Sequence, residues 1–338
     1  KVNRYSFLIS RSKNDFERRM KELHRILSFR PQFSKVIWGG DRIGQYKGIE
    51  LPGSNIGESW EISGLPGAVS VVEGGEFAGM SLNELAENFG ESFLGKAVAK
   101  TYSQTGFPLL IKFIDAHHNL SLQVHPGEEL ARRCHGCNGK DEMWYVIDSN
   151  PGAKILCGLN KKMTPELFDQ AVAGDNLIDY VLSYDSKRGQ VYYIPSGTIH
   201  AIGGGNLILE VQQSSNITYR IFDYNRRDSN GQLRPLHIKE AREAIDYSFS
   251  EDSINGTTEC NIESAYFKAN VYKVTEEKPI NIYSNGDSFT IIVVIDGEVV
   301  ASTPFEKRNF KRGSTFLLSA DLENTKISGN ATIMKVTI

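Results

Sequence analysis

The chain has 338 residues with 38 basic and 41 acidic side chains, so its net charge of −3 gives no general attraction to nucleic acid or to an anionic membrane. Hydrophobic residues make up 40 % of it and aromatic residues 10 %, which is typical of a globular protein large enough for two domains. No apolar run approaches the roughly 20 residues that cross a bilayer. We therefore expect a soluble protein with a small-molecule partner, and neither nucleic acid nor membrane as a partner.

The N-terminal segment and the cysteines indicate a cytoplasmic protein. The first residues are too polar for a secretory signal peptide. The chain contains 4 cysteines, which are too few for a disulfide framework at this length and which suit a reducing compartment. The sequence leaves the choice between a monomer and a homodimer open.

Residues 1–28 are predicted to form an N-terminal extension. Within it, the stretch Asn14–Leu27 is charged and helix-like. Met20 lies inside this stretch and is a candidate translation start, in which case residues 1–19 are not native.

The stretch 29–250 has the pattern of a β-sandwich or barrel. Short runs of β-branched and aromatic residues alternate with Gly, Pro, Asn and Asp. Helices are predicted at three places: Ser81–Phe89, Thr164–Ala173 and Ile238–Ile245. At the second, Thr164 is the expected N-cap and Pro165 the first helical residue. We predict a mainly β fold in which 29–250 forms one domain with helical insertions.

Residues 258–338 are predicted to form a second, smaller β-domain. The run Phe289–Ile295 is rich in β-branched residues, and the Asp296-Gly297 pair that follows it is a strong hairpin signal. No histidine follows His237 in the sequence. We therefore expect no histidine-bearing metal site in this domain.

The segment Leu120–Pro126 carries polar side chains at every second position. Ser121, Gln123 and His125 share one face of the predicted strand. The other face carries the apolar side chains Leu120, Leu122 and Val124. Taken alone, this pattern also fits an ordinary half-exposed strand.

The segment Gly139–Ile147 aims a charged pair into one face of a strand. Lys140, Glu142 and Trp144 alternate with three other residues, Asp141, Met143 and Tyr145. Burying a lysine and a glutamate is costly unless they are paired or bind a ligand, so a shared polar cavity is the favoured explanation. The alternative is a surface hairpin.

A turn of the form Pro195-x-Gly197-x-x-His200 enters the next candidate strand and resembles the second cupin motif, while His125 followed by Glu142 resembles the first. The two motifs together would bring His125, Glu142 and His200 onto neighbouring strands, beside Gln123. Two imidazoles with oxygen ligands suit zinc or another first-row dication. The alternative for His200 alone is a hydrogen-bonded core histidine.

The segment Leu209–Tyr224 adds further polar candidates. Glu210 shares a strand face with Gln212, and Arg220 lies on a β-forming stretch. The planar fork of an arginine can bind phosphate or stabilise an oxyanion. The alternative for Arg220 is an ion pair with Asp223 or a neighbour.

The Cys134-His135-Gly136-Cys137 sequence looks like half of a metal knuckle. A structural zinc site would need a second ligand pair, and the remaining cysteines, Cys157 and Cys260, are isolated in the sequence. We interpret Cys134 and Cys137 as two thiols in a loop.

Taken together, these segments resemble the type I phosphomannose isomerases in their shorter bacterial form. The resemblance covers most of the chain from about Phe29, through the segments Val36–Gly40, Gly57–Glu61, Leu120–Pro126, Gly139–Tyr145, Pro195–Ile202 and Leu209–Tyr224. It implies a catalytic, metal-bearing cupin (jelly-roll) domain with flanking helices, followed by a second jelly-roll-like domain. It implies one zinc ion per chain, and it implies that mannose 6-phosphate and fructose 6-phosphate are interconverted.

The resemblance also implies roles for individual residues. The zinc ligands would be Gln123, His125, Glu142 and His200. Arg220 and Lys140 would act in catalysis and, with Ser121, bind the sugar phosphate. For Glu210 we expect a supporting hydrogen bond to a metal ligand, with an acid–base role as the alternative.

Two other functions remain open at this point. One is a metal-containing cupin that binds a sugar phosphate without turnover, although a purely structural site needs no cations such as Lys140 and Arg220. The other is a cupin oxygenase, against which the Gln123 ligand and the Arg220 segment argue.

Overall fold

The computed structural model describes residues 23–227, 230–248 and 255–338. The helices are α1 (Arg42–Lys47), α2 (Leu82–Phe89), α3 (Glu91–Leu94), α4 (Lys96–Thr105), α5 (Glu128–His135), α6 (Pro165–Ala173) and α7 (Ile238–Ala244), with a 3-10 turn at Leu177–Tyr180. None of the described helices has both the length and the apolar character needed to cross a membrane.

Strands dominate the secondary structure. They are β1 (Ile26–Ser28), β2 (Gln32–Gly40), β3 (Ile56–Ile62), β4 (Leu109–Ala116), β5 (Leu122–Val124), β6 (Glu142–Ser149), β7 (Lys154–Leu159), β8 (Val181–Asp185), β9 (Val191–Ile194), β10 (His200–Ile202), β11 (Asn206–Gln213), β12 (Tyr219–Phe222), β13 (Asn255–Thr257), β14 (Asn261–Glu263), β15 (Lys268–Val274), β16 (Ile280–Tyr283), β17 (Thr290–Ser302), β18 (Lys307–Lys311), β19 (Thr315–Leu318) and β20 (Asn324–Thr337).

The chain forms two compact units that are not continuous in sequence. The first contains the described residues up to Arg30 together with Val71–Gly106 and Phe267–Ile338, and the second contains Pro31–Ser70 and Phe107–Tyr266. The predicted boundaries, 29–250 and 258–338, follow the chain without a break. The packing departs from them because Arg30 donates its N–H to the carbonyl of Val71, so the chain leaves the first unit and re-enters it at adjacent points.

The first unit contains an antiparallel sheet in which β1, β19, β17, β20 and β15 are hydrogen-bonded in that order, with β16 on β20 and β18 on β17. The predicted helix over Asn14–Leu27 is wrong at its C-terminal end. Ile26 and Leu27 belong instead to the strand β1, which pairs with β19, and both side chains are buried. These two residues are therefore part of the sheet rather than of an extension. Leu23, His24 and Arg25 are described and are not helical, whereas residues 14–22, Met20 included, lie outside the described residues.

The hairpin predicted at Asp296-Gly297 is wrong. β17 continues through this pair to Ser302 and stays bonded to β20, with a register shift between Val294 and Asp296. Gly297 has a φ of 80°, and a Cβ on it would lie 2.0 Å from the carbonyl oxygen of Asn330. The glycine therefore permits a close approach of two strands, and the chain turns only after Ser302.

The second unit is a sandwich of two antiparallel sheets. One has the order β12-β5-β10-β7-β8 and the other the order β13-β9-β6-β11-β4-β2-β3. A buried apolar cluster contains side chains from both sheets, among them Ile155 and Ile202 from the first and Ile114, Trp144 and Ile208 from the second. The mainly β prediction is confirmed, and the space between these sheets is where the polar candidates lie.

Helices cover the outer face of the five-stranded sheet. Phe168 of α6 and Ala241 of α7 belong to the same buried cluster as Leu122 and Val124 of β5. Leu120 lies instead in the cluster between the sheets, because β5 begins only at Leu122 and the predicted alternation does not extend back to it. β5 thus has one apolar face under the helices, and its other face points into the sandwich.

The three helices predicted from local signals are confirmed. Thr164 caps α6 by accepting from the N–H of Leu167, with Pro165 as the first helical residue. Ser81 and Glu84 form a capping box at the start of α2. The third predicted helix, α7, ends at Ala244.

Candidate metal centre

Cross-strand pairing brings three of the candidate residues into one row. His200 on β10 and Arg220 on β12 are both direct partners of Gln123 on β5. Directly opposed residues of antiparallel strands project from the same face of the sheet. Glu142 comes from the facing sheet as the first residue of β6, and His125 directly follows β5.

Nitrogen and oxygen atoms of His125, Glu142 and His200 converge inside the sandwich. The two Nε2 atoms are 3.2 Å apart, and each is 3.4 Å from one carboxylate oxygen of Glu142. A tetrahedral ion with bonds of about 2.0–2.1 Å separates its ligand atoms by roughly 3.3 Å. Within the described ranges this is the single group of histidine, cysteine and carboxylate side chains that could hold a metal.

Backbone carbonyls fix the orientation of both imidazoles. Nδ1 of His125 lies 2.9 Å from the carbonyl oxygen of Ile217, and Nδ1 of His200 lies 2.8 Å from that of Thr198. A carbonyl only accepts, so each Nδ1 carries the hydrogen and each Nε2 directs a lone pair to the centre. Metal ligation requires this tautomer.

The charges at the centre also suit a cation. Burial, followed by the Lys140 ammonium, lowers the pKa of His125 to about 4, and burial lowers the pKa of His200 as well. Burial raises the pKa of Glu142, but Lys140 and then His125 lower it more, so the net pKa lies well below the ordinary value. The carboxylate is therefore ionised, and its buried Oε1 has no hydrogen-bond partner among the described residues.

Gln123 lies beside this group but presents its amide nitrogen. Nε2 of Gln123 is 3.2 Å from Nε2 of His200, while Oε1 accepts a hydrogen bond of 3.4 Å from Ser121 Oγ. Rotating the amide by 180° exchanges the two atoms and would bring the oxygen, the atom that can bind a cation, to the centre.

Lys140 is buried at the centre, as the alternating pattern predicted. Its Nζ lies 2.8 Å from Nε2 of His125 and also donates to Oε2 of Glu142. Its exposed fraction is 4 %. The surface-hairpin alternative for this segment is therefore wrong.

Arg220 is not neutralised by Asp223. That carboxylate instead receives hydrogen bonds from Arg226 and Arg234. Nη1 of Arg220 donates to the carbonyl of Pro235 at 3.0 Å, and its buried Nε has no partner in the part of the chain that the structure describes. Burial and then Arg234 lower the pKa of Arg220. Its positive charge thus remains available to a ligand.

A second cross-strand row contains Lys112, a buried residue that the sequence analysis did not single out. Glu210 on β11 is the direct partner of Trp144 on β6 and of Lys112 on β4. Its Oε1 accepts from Trp144 Nε1 at 2.9 Å, and its Oε2 lies 3.2 Å from Lys112 Nζ. Glu210 therefore bonds to these two side chains rather than to one of the four candidate ligands. The missed signal was a lysine inside the otherwise apolar run Leu109–Ile114.

Among the residues that the structure describes, no side chains gather around Cys134 and Cys137 to form another metal site. Neither thiol belongs to a disulfide, and Cys134, at the end of α5, is exposed. Nε2 of His135 lies 2.7 Å from the hydroxyl of Tyr219. The interpretation of two free thiols is confirmed, but only Cys137 lies in a loop, because the helix α5 extends through Cys134 to His135.

Comparisons with known proteins find matches along most of the chain. A model of the type I phosphomannose isomerase catalytic domain matches residues 26–153, and a model of the mannose-6-phosphate isomerase cupin domain matches residues 248–338. The mannose-6-phosphate isomerase ManA of Bacillus subtilis is 35 % identical over 319 residues, which cover 90 % of this chain and 96 % of that protein. The mannose-6-phosphate isomerase of Streptococcus mutans is 34 % identical over 316 residues, with 91 % and 96 % covered.

Solved structures give the same result for the fold. The crystal structure of the mannose 6-phosphate isomerase from Bacillus subtilis matches with a TM-score of 0.82 and 29 % identity, over 93 % of this chain and 99 % of that chain. A phosphomannose isomerase from Salmonella typhimurium matches with a TM-score of 0.74 at 14 % identity, over 92 % of this chain and 98 % of that chain, and therefore supports the fold alone. The predicted fold class, mainly β with a cupin domain, is confirmed.

Proposed function

The chain belongs to the type I phosphomannose isomerases, as its motifs predicted, and we propose that it interconverts mannose 6-phosphate and fructose 6-phosphate with one zinc ion held by Gln123, His125, Glu142 and His200. It is therefore an isomerase rather than a binding protein without turnover. The observation that carries the proposal for the site is the convergence of two imidazole lone pairs and an ionised, partly unpartnered carboxylate inside the sandwich.

The donor set supports zinc as the ion. Two neutral nitrogens, one carboxylate and one amide oxygen suit a first-row dication better than calcium or magnesium. A bound zinc ion polarises sugar oxygens and stabilises negative charge that develops on them. The Nε2 lone pair of His125 serves one partner at a time, so the Lys140 ammonium must leave that nitrogen when a metal is held there.

Arg220 is proposed to stabilise the negative charge of the enediolate. The reaction moves a proton between C1 and C2 of the sugar, and charge collects on the adjacent oxygens. Arg220 extends the row of His200 and Gln123, and no carboxylate of the described residues pairs with it directly. A fixed cation of this kind in a water-poor site is worth far more than the same charge in water.

Lys140 and Ser121 are proposed to bind the sugar phosphate or its hydroxyls. Both are 4 % exposed and lie beside candidate metal ligands. Once a metal holds His125, the Lys140 ammonium has donors to offer to a bound anion. Position and charge thus support the roles that the family resemblance implied for these two residues.

The Lys112 and Glu210 pair extends the proposed machinery. Burial lowers the pKa of Lys112, but the carboxylates of Glu210 and Glu58 raise it more, so its pKa lies above the ordinary value. Lys112 is thus protonated and can donate a hydrogen bond or stabilise an oxyanion. Glu210 would hold the ammonium in place.

The experiment that tests this function measures conversion of mannose 6-phosphate by the purified chain before and after chelation. We expect activity to be lost with the metal and restored by added zinc. His125→Ala should bind no zinc, whereas His135→Ala, a histidine outside the centre, should bind it normally. Full activity of metal-free protein would contradict the proposal. The cytoplasmic location and the choice between monomer and homodimer stay predictions.

A further inference from the structure

We propose that Asp223 is a positioning residue for Arg220 and that it acts through Arg234 and the carbonyl of Pro235. The inference rests on the proposed function, because it concerns the guanidinium assigned there to the enediolate. It starts from a carboxylate that is 5 % exposed and lies directly after β12, the strand of Arg220.

The backbone after Asp223 adopts a conformation that ordinary side chains avoid. Tyr224 and Asn225 have φ values of 55° and 53°, in the left-handed region. Two successive non-glycine residues in this region cost free energy and persist only where surrounding contacts enforce them. Asp223 and Arg226 bridge this turn, because the N–H of Arg226 donates to the carbonyl of Asp223 at 3.0 Å and their side chains also pair.

Asp223 anchors two arginines on its two oxygens. Arg234 donates from Nε to Oδ2 at 2.7 Å and from Nη2 to Oδ1 at 2.5 Å, which is a bidentate fork. Arg226 donates from Nη2 to Oδ1 and from Nη1 to the carbonyl of Asn119, which shortly precedes β5. Asp223 therefore ties two stretches of chain to the end of β12.

The stretch that begins at Arg234 is the one that holds Arg220. The carbonyl of Pro235, the next residue, accepts from Nη1 of Arg220 at 3.0 Å. His237 bonds the Arg220 backbone twice: its N–H donates to the carbonyl at 2.7 Å, and its Nδ1 accepts from the N–H at 3.1 Å. The fork to Arg234 thus fixes the carbonyl that orients the guanidinium.

This arrangement also leaves Arg220 without a carboxylate partner among the described residues. Because Asp223 is occupied by Arg226 and Arg234, it does not pair with Arg220. Loss of the fork would release the Pro235 carbonyl and would free a carboxylate oxygen to attract Arg220. Both changes misplace the guanidinium, and a displacement of about 1 Å from the productive geometry can reduce turnover about 100-fold.

The test compares kcat and KM of Asp223→Asn and Arg234→Gln with those of the unaltered chain. We expect each variant to lower kcat by roughly 10- to 100-fold, with KM within about threefold and zinc content unchanged. The matched control is Arg242→Gln. It removes a similar pair, the one between Arg242 of α7 and Asp169 of α6, which belong to the same unit. It should leave kcat unchanged.

A double-mutant cycle separates positioning from a general loss of structure. In an Arg220→Ala background, Asp223→Asn should lower kcat by no more than about twofold further, because its effect acts through the missing guanidinium. An equal, additive loss in that background overturns the inference, and so does normal kcat in Asp223→Asn. A rise in KM alone overturns it as well, since that result would assign Arg234 to direct phosphate binding.

If Asp223→Asn does not fold, Arg234→Lys carries the test, because it retains the charge but loses the fork, and we expect an intermediate kcat. If the unaltered chain itself fails to isomerise mannose 6-phosphate, the proposed function fails. If the unaltered chain is active and the variants match it, only the role of Asp223 fails.

Discussion

The buried cores of the two units differ in the chemistry that they enclose. The core of the first unit is apolar, with Phe316, Ile292 and Ile333 at 0 % exposure. Between the sheets of the second unit, Lys112 and Glu210 are 4 % and 3 % exposed, beside the fully buried Glu142. Burying an ion costs several kcal/mol even when it is paired. The first core therefore contributes mainly to stability, whereas the second contains buried charges that lower stability and form the candidate metal centre.

The largest effect should come from removing the charge of the metal-binding carboxylate. Glu142→Gln keeps the shape of the side chain but removes the one anionic ligand, so we expect loss of zinc and a fall in kcat of roughly 1,000-fold or more. Metal analysis and steady-state kinetics on the same sample measure both. Glu298→Gln, an exposed position on β17 in the first unit, is the control. A variant that keeps zinc and turnover would remove Glu142 from the centre.

Arg220→Ala should have the next largest effect. Loss of a preorganised cation at the developing oxyanion costs roughly 100- to 1,000-fold in kcat, and the zinc content should not change. The melting temperature should stay close to that of the unaltered chain, because within the described ranges the guanidinium makes one hydrogen bond, to the carbonyl of Pro235. Near-normal turnover would show that the second core keeps this charge for another reason.

Phe316→Ala tests the other side of the comparison. The ring is fully buried in the first unit and stacks on Phe310 with centroids 3.9 Å apart. Truncation should lower the free energy of unfolding by about 3–5 kcal/mol, while kcat measured well below the melting temperature stays unchanged. Phe316→Leu should cost less. A specific loss of kcat at unchanged stability would mean that the apolar core is not purely structural.

The smallest predicted effect is a pH dependence of the metal-free protein. The pKa of His125 falls from 6.5 to about 4 on folding, because of burial and then Lys140. The unfolded chain therefore takes up this proton first as the pH falls. The contribution of His125 to the free energy of unfolding is fully present above pH 6.5. It decreases towards pH 4 by on the order of 1 kcal/mol per pH unit. Urea unfolding of metal-free protein should show this slope, and His125→Phe should reduce it.

Local patterns in the sequence were sufficient for part of the fold and of the site. Ser81 and Thr164 mark the starts of their helices in the sequence, because an N-cap depends on only a few neighbouring residues. His125 and Glu142 stand out because alternation in a strand puts a polar side chain on a chosen face. The Asp296-Gly297 pair shows the limit of such signals, since its glycine is required by the Asn330 carbonyl across the sheet.

Residues whose role depends on distant partners could not be predicted in this way. Lys112 is recognisable only once β4 and β11 are paired and Glu210 is opposite it. Asp223 looked like a partner for Arg220, and the fork from Arg234 became visible only in three dimensions. Pairing between strands far apart in the chain carries this information, and periodicity within one strand does not.

Zinc binding by Gln123, His125, Glu142 and His200 can be tested directly by anomalous diffraction at the zinc edge from crystals of the active protein. We predict one peak between the two sheets of the second unit, about 2.0–2.2 Å from Nε2 of His125, Nε2 of His200 and an oxygen of Glu142, with Oε1 of Gln123 turned towards it. An active crystal with no peak at these residues, or with its zinc on other ligands, would show that these four residues do not form the metal centre.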